Sequence, residues 1–391
     1  MQRRLALATL ARLAALCVPL LVAAPGCLAP GSAEPPSFRI KRVFELEHPT
    51  AEEWANYLSA ITNPDPTQPP LSPVPPKSFH PPSFPMAMND LGSVCGVAYR
   101  YEADIRDTIA GNPKYVNVGR AFTYIDGEVT IIPVLQSLTP EPWNHAWAVD
   151  INNNNEVVGY TTEFPRTQFH WDGETLTTLG SDVYEVKAIN DEGTILTYKG
   201  LYKDGAFVFQ PPPADDIVEG FTLKFSGTDL ANDGTFVGHY THLDEGIRRV
   251  VTFKDGVRTV LPEQAKAAWA INDAGVVFLE WQVGDETVPA LWSDGTVTPI
   301  LTDKADLLAM RGWCGINDRA SLTGSHVDSG LALYEDGKLY DVTTLISNLD
   351  EVPAFPTKYF SSVATNNRGD ILAWAYSGWQ SYYLEREIPA P

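Results

Sequence analysis

The chain has 391 residues, of which 49 are Asp or Glu and 28 are Lys or Arg, and its formal net charge is −21. Binding to nucleic-acid phosphates needs a basic surface, so this balance argues against a nucleic-acid partner. A strongly negative net charge is typical of a secreted protein, because repulsion between its molecules keeps it soluble.

The first 26 residues have the pattern of a secretory signal peptide. Arg3, Arg4 and Arg12 precede an apolar run at 13–24 that ends in small residues, which is the order of regions in such a signal. The run is too short and too rich in alanine to predict a membrane span. Its removal takes away three arginines and no acids, which leaves a net charge of −24. We therefore predict an exported protein.

The end of the signal leaves two alternatives open. Ala24-Pro25-Gly26-Cys27 resembles a bacterial lipobox, in which the cysteine is acylated and becomes the new N-terminus. Gly26 fits that pattern, whereas Ala24 and Pro25 depart from it. A lipid on Cys27 would anchor the protein to the outer membrane or cell surface, and this would be its single contact with a membrane. Ordinary cleavage, for instance after Ala33, would leave it periplasmic or secreted.

A connecting segment at 38–83 precedes the main domain at 84–391. Apolar and polar residues alternate at 38–46, which predicts a strand. A capping box at 50–53 predicts a short helix, and its apolar face is formed by Trp54, Tyr57, Leu58 and Ile61. The proline-rich stretch at 64–85 predicts an extended connector.

The main domain repeats one phrase seven times: an apolar strand, a turn of the form Asn-Asp-x-Gly and a second apolar strand. Most copies lie roughly 40–50 residues apart, a period typical of propellers and other repeat arrays. Asn and Asp hydrogen-bond their own backbone in tight turns, and Gly takes the left-handed closing position. Asn155 and Ala320 replace that glycine, and Asn is the better substitute. The turns begin at Asn89, Asn152, Asn190, Ala231, Asn272, Asn317 and Asn366.

Six of the repeats continue with a second hairpin, in which a strand ending in an aromatic residue meets an Asp-Gly turn. Asp-Gly between apolar runs is a strong hairpin signal. Each repeat is therefore predicted to hold four antiparallel strands, A to D, which is the blade of a β-propeller. The six turns begin at Asp126, Asp172, Asp204, Asp255, Asp294 and Asp336.

The seventh repeat ends after its third strand, near residue 384, while the strand at 38–46 belongs to no repeat. The economical prediction is that this spare strand supplies the outer edge of blade 7 and closes the ring. The predicted fold is an all-β, seven-bladed β-propeller of four-stranded antiparallel blades. It is closed by an N-terminal strand and carries one short N-terminal helix. We expect a monomer.

The repeat resembles the bacterial extracellular HAF repeat family. The stretch at 269–277 carries the pattern Ala-Ile-Asn-Asp-x-Gly, and the stretch at 120–127 matches the second half of the family's repeat. The resemblance covers about residues 84–384. It implies an exported, propeller-like protein and points to no catalytic residue.

Two cysteines, Cys95 and Cys314, fall in predicted core strands of different repeats. Their placement predicts two buried thiols rather than a disulfide.

Two sequence patterns resemble metal-binding sites, but each lacks some of the ligands that the metal needs. Asp150-x-Asn152-x-Asn154 has the first oxygen spacings of a calcium loop, but Asn155 and Thr161 stand where that loop needs Gly and Glu. His239 and His242 lie three residues apart without an evident third zinc ligand, and we expect them to be polar loop histidines. We predict no metal and no cofactor.

Asp150 and Asp229 are the most informative acids. They occupy the small-residue position of strand A, where the other repeats have Ala or Gly. Two such carboxyls near a central channel could hold a cation or a sugar, or act as an acid–base pair. The favoured hypothesis is that each caps nearby backbone amides. The many tryptophans, including Trp147, Trp281 and Trp374, are predicted to pack in blade cores.

The connections predict which face of the disc binds a ligand. A–B and C–D turns lie on one face and are stereotyped, whereas B–C and D–A connections lie on the other and vary. Long, polar B–C loops are predicted at 97–119, around His239 and around Trp281, and blade 3 has almost none. Because binding residues concentrate on such loops, the predicted contacts are Tyr101, His239 and Trp281, with Asp150 and Asp229 beneath them only if the site reaches into the channel. The alternative is that these loops are merely tolerated insertions.

Three function classes follow from the sequence. The favoured one is a binding or scaffold protein for an extracellular glycan or protein ligand. The second is a propeller hydrolase or lyase acting on polysaccharide, and the third is a structural component of the envelope. No catalytic residue is predicted.

Overall fold

The computed structural model is a seven-bladed β-propeller of four-stranded antiparallel blades. It describes residues 35–44, 83–104, 114–133, 145–162, 166–212, 223–242, 246–300, 310–326, 330–352, 360–375 and 380–387. The predicted signal, the possible acylation site Cys27 and the predicted helix at 50–61 lie outside these residues. No helix in the described ranges is long and apolar enough to cross a membrane.

The first blades follow the predicted repeats. Blade 1 contains β2 (Ser83–Met88), β3 (Val94–Asp104), β4 (Lys114–Ile125) and β5 (Glu128–Ile131). Blade 2 contains β6 (Ala146–Ile151), β7 (Val157–Thr161), β8 (Gln168–Trp171) and β9 (Leu176–Thr178). Blade 3 contains β10 (Val186–Ile189), β11 (Ile195–Thr197), β12 (Gly200–Lys203) and β13 (Ala206–Phe209).

The next three blades have the same order. Blade 4 contains β14 (Lys224–Leu230), β15 (Phe236–His242), β16 (Ile247–Lys254) and β17 (Val257–Val260). Blade 5 contains β18 (Ala265–Ile271), β19 (Val277–Val283), β20 (Glu286–Ser293) and β21 (Thr296–Pro299). Blade 6 contains β22 (Met310–Ile316), β23 (Leu322–His326), β24 (Gly330–Glu335) and β25 (Lys338–Asp341), and two short 3-10 helices follow at Val342–Leu345 and Leu349–Glu351.

Blade 7 confirms the predicted closure of the ring. Its strands are β26 (Phe360–Thr365), β27 (Ile371–Ala375), β28 (Gln380–Glu387) and, as the outer strand, β1 (Ser37–Phe44). Along β1, Phe38 and Ile40 are buried and Arg39 and Lys41 are exposed, as the alternating pattern predicts. Ser347 also donates its backbone N–H to the Phe38 carbonyl oxygen at 2.8 Å, which ties β1 to the segment after blade 6.

The asparagine that begins most of the A–B turns does more than close its own turn. The Asn89 side-chain oxygen accepts from the backbone N–H groups of Leu91 and Ser93, as an Asx turn should. Its amide nitrogen also donates to the carbonyl oxygen of Asn152 in the next blade, at 2.8 Å. Asn152, Asn272, Asn317 and Asn366 repeat this inter-blade bond. Ala231, the first residue of the turn in blade 4, has no side-chain amide and cannot donate this hydrogen bond.

The second residue of each turn forms a closed ring of hydrogen bonds. Its side-chain oxygen accepts from the backbone N–H of the same position in the preceding blade, at 2.6–2.9 Å. The ring runs through Asp90, Asn153, Asp191, Asn232, Asp273, Asp318 and Asn367 and returns to Asp90. The repeated Asn-Asp therefore joins every blade to its neighbour.

Backbone torsion angles explain the remaining turn chemistry. Asp126 and Gly127 have φ of 49° and 96°, and four other Asp-Gly turns are alike, which is the geometry of a type I′ hairpin. Asn155 and Ala320 have φ of 63° and 58°, so both occupy the left-handed position predicted for the missing glycines. Ala320 bears the higher steric cost there.

Seven buried clusters form the core among the described residues, one between each pair of adjacent blades. Phe169 of blade 2, for example, packs in one cluster with Val118 and Ala121 of blade 1. Cys95 lies in that cluster as a buried free thiol. Burial, with the nearby Asp150 carboxyl, raises its pKa well above the ordinary value, so the thiol is unreactive. The side chain of Cys314 lies outside the described part.

Candidate functional site

Every strand A has a β-bulge at the same place, one residue before the small-residue position. The pairing of A with B shifts between Pro85 and Ala87 in blade 1, and likewise in the six other blades. A bulge leaves one residue outside the ladder and redirects its side chain. The bulged residues are Met86, Val149, Lys187, Thr228, Trp269, Cys314 and Val363.

The bulged residues line a central channel. Met86, Val149, Lys187, Thr228, Trp269 and Val363 border a cavity of about 370 Å³, together with Asp150, Asp229 and the Asn-Asp turns. Its wall is apolar at Met86, Val149 and Val363, polar at Thr228 and cationic at Lys187. Trp269 is 51% exposed in it. The bulged residues thus give the channel an apolar wall on blades 7, 1 and 2 and a cationic, a polar and an aromatic side chain on blades 3, 4 and 5.

The structure brings Asp150 and Asp229 to this channel and shows that both cap backbone amides of the next blade. The Asp150 Oδ2 atom accepts from the Ile189 N–H at 2.8 Å. The Asp229 Oδ2 atom accepts from the Ile271 N–H at 2.9 Å, and its Oδ1 from the Leu230 N–H at 2.9 Å. The favoured sequence hypothesis is confirmed: these acids fix the blade 2–3 and blade 4–5 junctions.

Burial nevertheless makes both carboxyls weak acids. Desolvation raises the pKa of Asp150 to about 7, with the hydrogen bond from Ile189 opposing it and the charge of Asp229 adding to it. Desolvation likewise raises the pKa of Asp229 to about 6 against its two backbone hydrogen bonds. Each group binds a proton more tightly in the folded chain than in the unfolded one.

The raised pKa values predict that Asp150 and Asp229 contribute stability that is present at about pH 4 and is lost as pH rises to about 7. A folded state that binds more protons than the unfolded state is weakened by their removal. Asp150→Asn and Asp229→Asn keep an acceptor oxygen without the charge. In each variant the decrease in the free energy of unfolding between low and neutral pH should therefore be roughly 1–3 kcal/mol smaller than in the wild type. Urea denaturation at pH 4 and pH 8 measures the effect. Asp255→Asn, in an exposed turn, is the control. An unchanged pH dependence in both variants would contradict the prediction.

The prediction that Tyr101, His239 and Trp281 lie on long B–C loops is wrong. Tyr101 lies on β3, His239 on β15 and Trp281 on β19, because strands B and C continue as paired ladders through these residues. In blade 5 the hairpin turns at Gly284 and Asp285, beyond Trp281. The polar and aromatic residues read as loop residues are therefore largely strand residues. Blade 3 has the short connection that was predicted.

His239 and Trp281 have structural partners. The Arg248 Nη2 atom donates to His239 Nδ1 at 3.2 Å. Burial, then the charges of Arg248 and Lys187, lower the pKa of His239 to about 4, so the ring is neutral at neutral pH. Trp281 packs against the core between blades 4 and 5. Tyr101 is paired with Asn117 through the backbone, and its side chain lies outside the description.

An aromatic pocket opens at the B–C end of strand A, between blades 7, 1 and 2. Its volume is about 220 Å³, and it is lined by Phe84, Pro85, Met86, Tyr99, Trp147, Val363 and Trp374. Met86 and Val363 also line the channel, so the two cavities share a wall. The four rings of the pocket belong to none of the seven buried core clusters.

The four pocket rings and Tyr160 form a continuous line that we call the aromatic row. Trp374 and Phe84 have centroids 4.8 Å apart, Phe84 and Tyr99 5.7 Å, Tyr99 and Trp147 6.4 Å, and Trp147 and Tyr160 6.4 Å. All five side chains are partly exposed. The core rings Phe122, Phe169 and Phe236, by contrast, are fully buried.

The sequence predicts that Trp147 and Trp374 pack in blade cores, but in the structure both belong to the aromatic row and to none of the buried clusters. It predicts no role for Phe84. Phe84 and Trp147 stand three residues before the small position in blades 1 and 2, where the other blades have Glu185, Ser226, Ala267, Gly312 and Ser361. That difference between repeats was the available signal. The bulges have no comparable sequence signature.

Neither metal pattern assembles a site. No group of three or more His, Cys, Asp or Glu side chains in the described ranges is placed to hold an ion. Asn152 Oδ1 accepts from the N–H groups of Asn154 and Glu156 within its own turn. His239 and His242 lie three apart on β15 and so face opposite sides of the strand.

No family model matches the sequence, and no curated protein does. Among solved structures, the β-propeller domain of the Trilobed protease from Pyrococcus furiosus, described as having an open velcro topology, is 11% identical, with a TM-score of 0.47 over 79% of this chain and 100% of that one. Pyrococcus horikoshii acylaminoacyl peptidase is 15% identical, with a TM-score of 0.49 over 80% of this chain.

The matched region spans only 52% of the acylaminoacyl peptidase chain. Aleuria aurantia lectin, in complex with α-methyl-L-fucoside, is 12% identical, with a TM-score of 0.29 over 78% of this chain and 90% of that one. At these identities the similarity concerns the fold alone.

Proposed function

We propose that this chain is an exported binding protein that takes its ligand on the B–C face of the propeller, at the aromatic pocket. One observation carries the proposal: rings from three blades converge on one cavity without joining the core. Apolar pockets with aromatic walls on a rigid scaffold are the usual form of a ligand site. The opposite face carries the A–B turns, whose second residues are already hydrogen-bonded from blade to blade.

Export and the lipid anchor are part of the same proposal, and they rest on the sequence before residue 28 and on the HAF-like repeat. Intact mass spectrometry of the exported protein tests them. Acylation adds lipid mass to a chain beginning at Cys27, and Cys27→Ala should release the protein from membranes. A mature N-terminus beyond Cys27 overturns the anchor.

Hydrogen–deuterium exchange locates the working face. The probes are polygalacturonate, pullulan and a tryptic digest of casein, each added to the mature protein. Bound ligand should slow exchange near residues 83–86, 97–99 and 145–148, which border the pocket. Protection confined to the Asn-Asp turns, or no protection with any probe, overturns the proposed function.

A hydrolase or lyase is the second candidate, favoured by the two weak acids in the channel. If Asp150 or Asp229 transferred protons to a substrate, Asp150→Asn or Asp229→Asn would abolish turnover. Product analysis by mass spectrometry after incubation with the same polysaccharides tests it. Ligand recovered intact from the wild-type protein supports binding over catalysis.

A further inference from the structure

The bulge in blade 1 gives two methionines of one strand different surroundings. Residues two apart on a regular strand face the same side, but the shift in pairing between Pro85 and Ala87 leaves Met86 outside the ladder. Met86 is 37% exposed, whereas Met88 is 8% exposed and lies in the buried cluster between blades 7 and 1. Solvent therefore reaches the first thioether and not the second.

Met86 forms part of the wall that separates the aromatic pocket from the central channel. On the pocket side it lies among Phe84, Trp147, Trp374 and the other lining residues, none of which is charged. Methionine is a flexible, apolar side chain that suits such an aromatic wall. A change in the polarity of this one side chain would therefore alter the pocket itself.

An accessible thioether is oxidised by peroxides to a sulfoxide. The sulfur attacks one oxygen of hydrogen peroxide, so that an S–O bond forms while the O–O bond breaks. Sulfur is oxidised, and the second oxygen is reduced and leaves as water with both protons. The product is polar and chiral, and methionine sulfoxide reductases return it to the thioether. The modification is therefore reversible.

We propose that Met86 is a reversible oxidation site, with a peroxide as oxidant, and that its sulfoxide weakens binding at the aromatic pocket. This inference rests on the proposed function and names a regulation of the same site. The thioether lets the pocket accept the apolar part of a ligand. A sulfoxide oxygen in that wall opposes the ligand, because covering a polar group without a hydrogen-bond partner costs free energy. Met88 stays reduced, so the core between blades 7 and 1 is preserved.

Peptide mass spectrometry of the mature protein after graded exposure to hydrogen peroxide tests the site. Both methionines lie in the tryptic peptide 78–100, and fragment ions assign the added oxygen to one or the other. The oxygen should appear on Met86 while most of Met88 is still reduced, because the buried sulfur reacts only when the strand opens locally. Treatment with methionine sulfoxide reductases for both epimers should remove it.

Benzene binding measured by NMR tests the effect on the pocket, because apolar cavities in proteins take up benzene. The oxidised protein should bind it at least about fivefold more weakly than the reduced protein, a difference of about 1 kcal/mol. Met86→Leu keeps an apolar side chain of similar volume without the sulfur, so peroxide should not change its binding. Met88→Leu is the matched control and should respond to peroxide as the wild type does. Met86→Gln should bind benzene weakly without any peroxide.

Three results overturn the inference. They are oxidation of Met88 as early as Met86, benzene binding that is absent from the reduced protein or unchanged by oxidation, and an equal loss of binding in peroxide-treated Met86→Leu. The proposed function is judged separately, by hydrogen–deuterium exchange with the polysaccharides and casein peptides. Protection near residues 83–86 together with any of the three results leaves the binding face standing and removes its control by oxidation. Protection confined to the Asn-Asp turns removes the binding face and its control, even where Met86 is oxidised selectively.

Discussion

Deleting residues 38–46 is expected to unfold the propeller under conditions where the full chain is folded. The deletion removes the outer strand of blade 7 and with it Phe38, which is fully buried between blades 6 and 7. The single change Phe38→Ala should cost about 3–5 kcal/mol, the usual effect of truncating a buried phenylalanine. Chemical denaturation followed by tryptophan fluorescence measures it.

Lys41→Ala is the matched control for the closing strand, because it lies on β1 with an exposed side chain. It should change the free energy of unfolding by less than about 1 kcal/mol. Size-exclusion chromatography shows whether the deletion variant is still monomeric. A monomeric deletion variant with unchanged stability would mean that β1 does not hold the ring closed.

Arg386→Ala should destabilise the protein by about 3–5 kcal/mol, the cost of leaving a buried charge without its partner. Arg386 Nη1 and Nη2 donate to Glu335 Oε1 and Oε2 at 2.6 and 2.9 Å, which joins blade 7 to blade 6. The two side chains are only 18% and 10% exposed. Urea denaturation at pH 7 gives the difference from wild type.

The pKa of Glu335 makes this prediction depend on pH. Burial alone would raise that pKa, but the hydrogen bonds and charge of Arg386 lower it overall. The pair therefore stabilises the fold at neutral pH, and its contribution is lost as pH falls through the lowered pKa. Arg39→Ala is the control, since Arg39 and Glu351 form an exposed pair worth at most about 1 kcal/mol. Equal effects of the two variants would contradict the argument.

The fold was predictable because turn chemistry is local. Asn-Asp-x-Gly and Asp-Gly each dictate a hairpin within a few residues, so seven copies of one and six of the other determine the strand order and the number of blades. The missing strand D of the last repeat and the spare alternating strand around Phe38 then specify the closure. None of these steps needs knowledge of how blades pack.

The site was less predictable because it depends on contacts between blades. Asp150 and Asp229 were found as departures from a small-residue position, but their amide partners Ile189 and Ile271 lie on the next blade. Tyr101, His239 and Trp281 were chosen as loop residues and lie on strands. The aromatic row joins Trp374 to Phe84, which are far apart in sequence, and only the closed ring brings them together.

The ring formed by the second residues of the seven A–B turns has an odd number of members, and this limits how its side chains can alternate. Going round the propeller, carboxyl and amide side chains alternate until Asp273 meets Asp318, where two carboxyls are adjacent. Burial, then the charge of Asp273, raise the pKa of Asp318. Strict alternation is impossible in a cycle with an odd number of members, so one junction of like side chains is unavoidable here. A gene duplication that added one blade could remove it, and blade number and turn sequence are therefore linked.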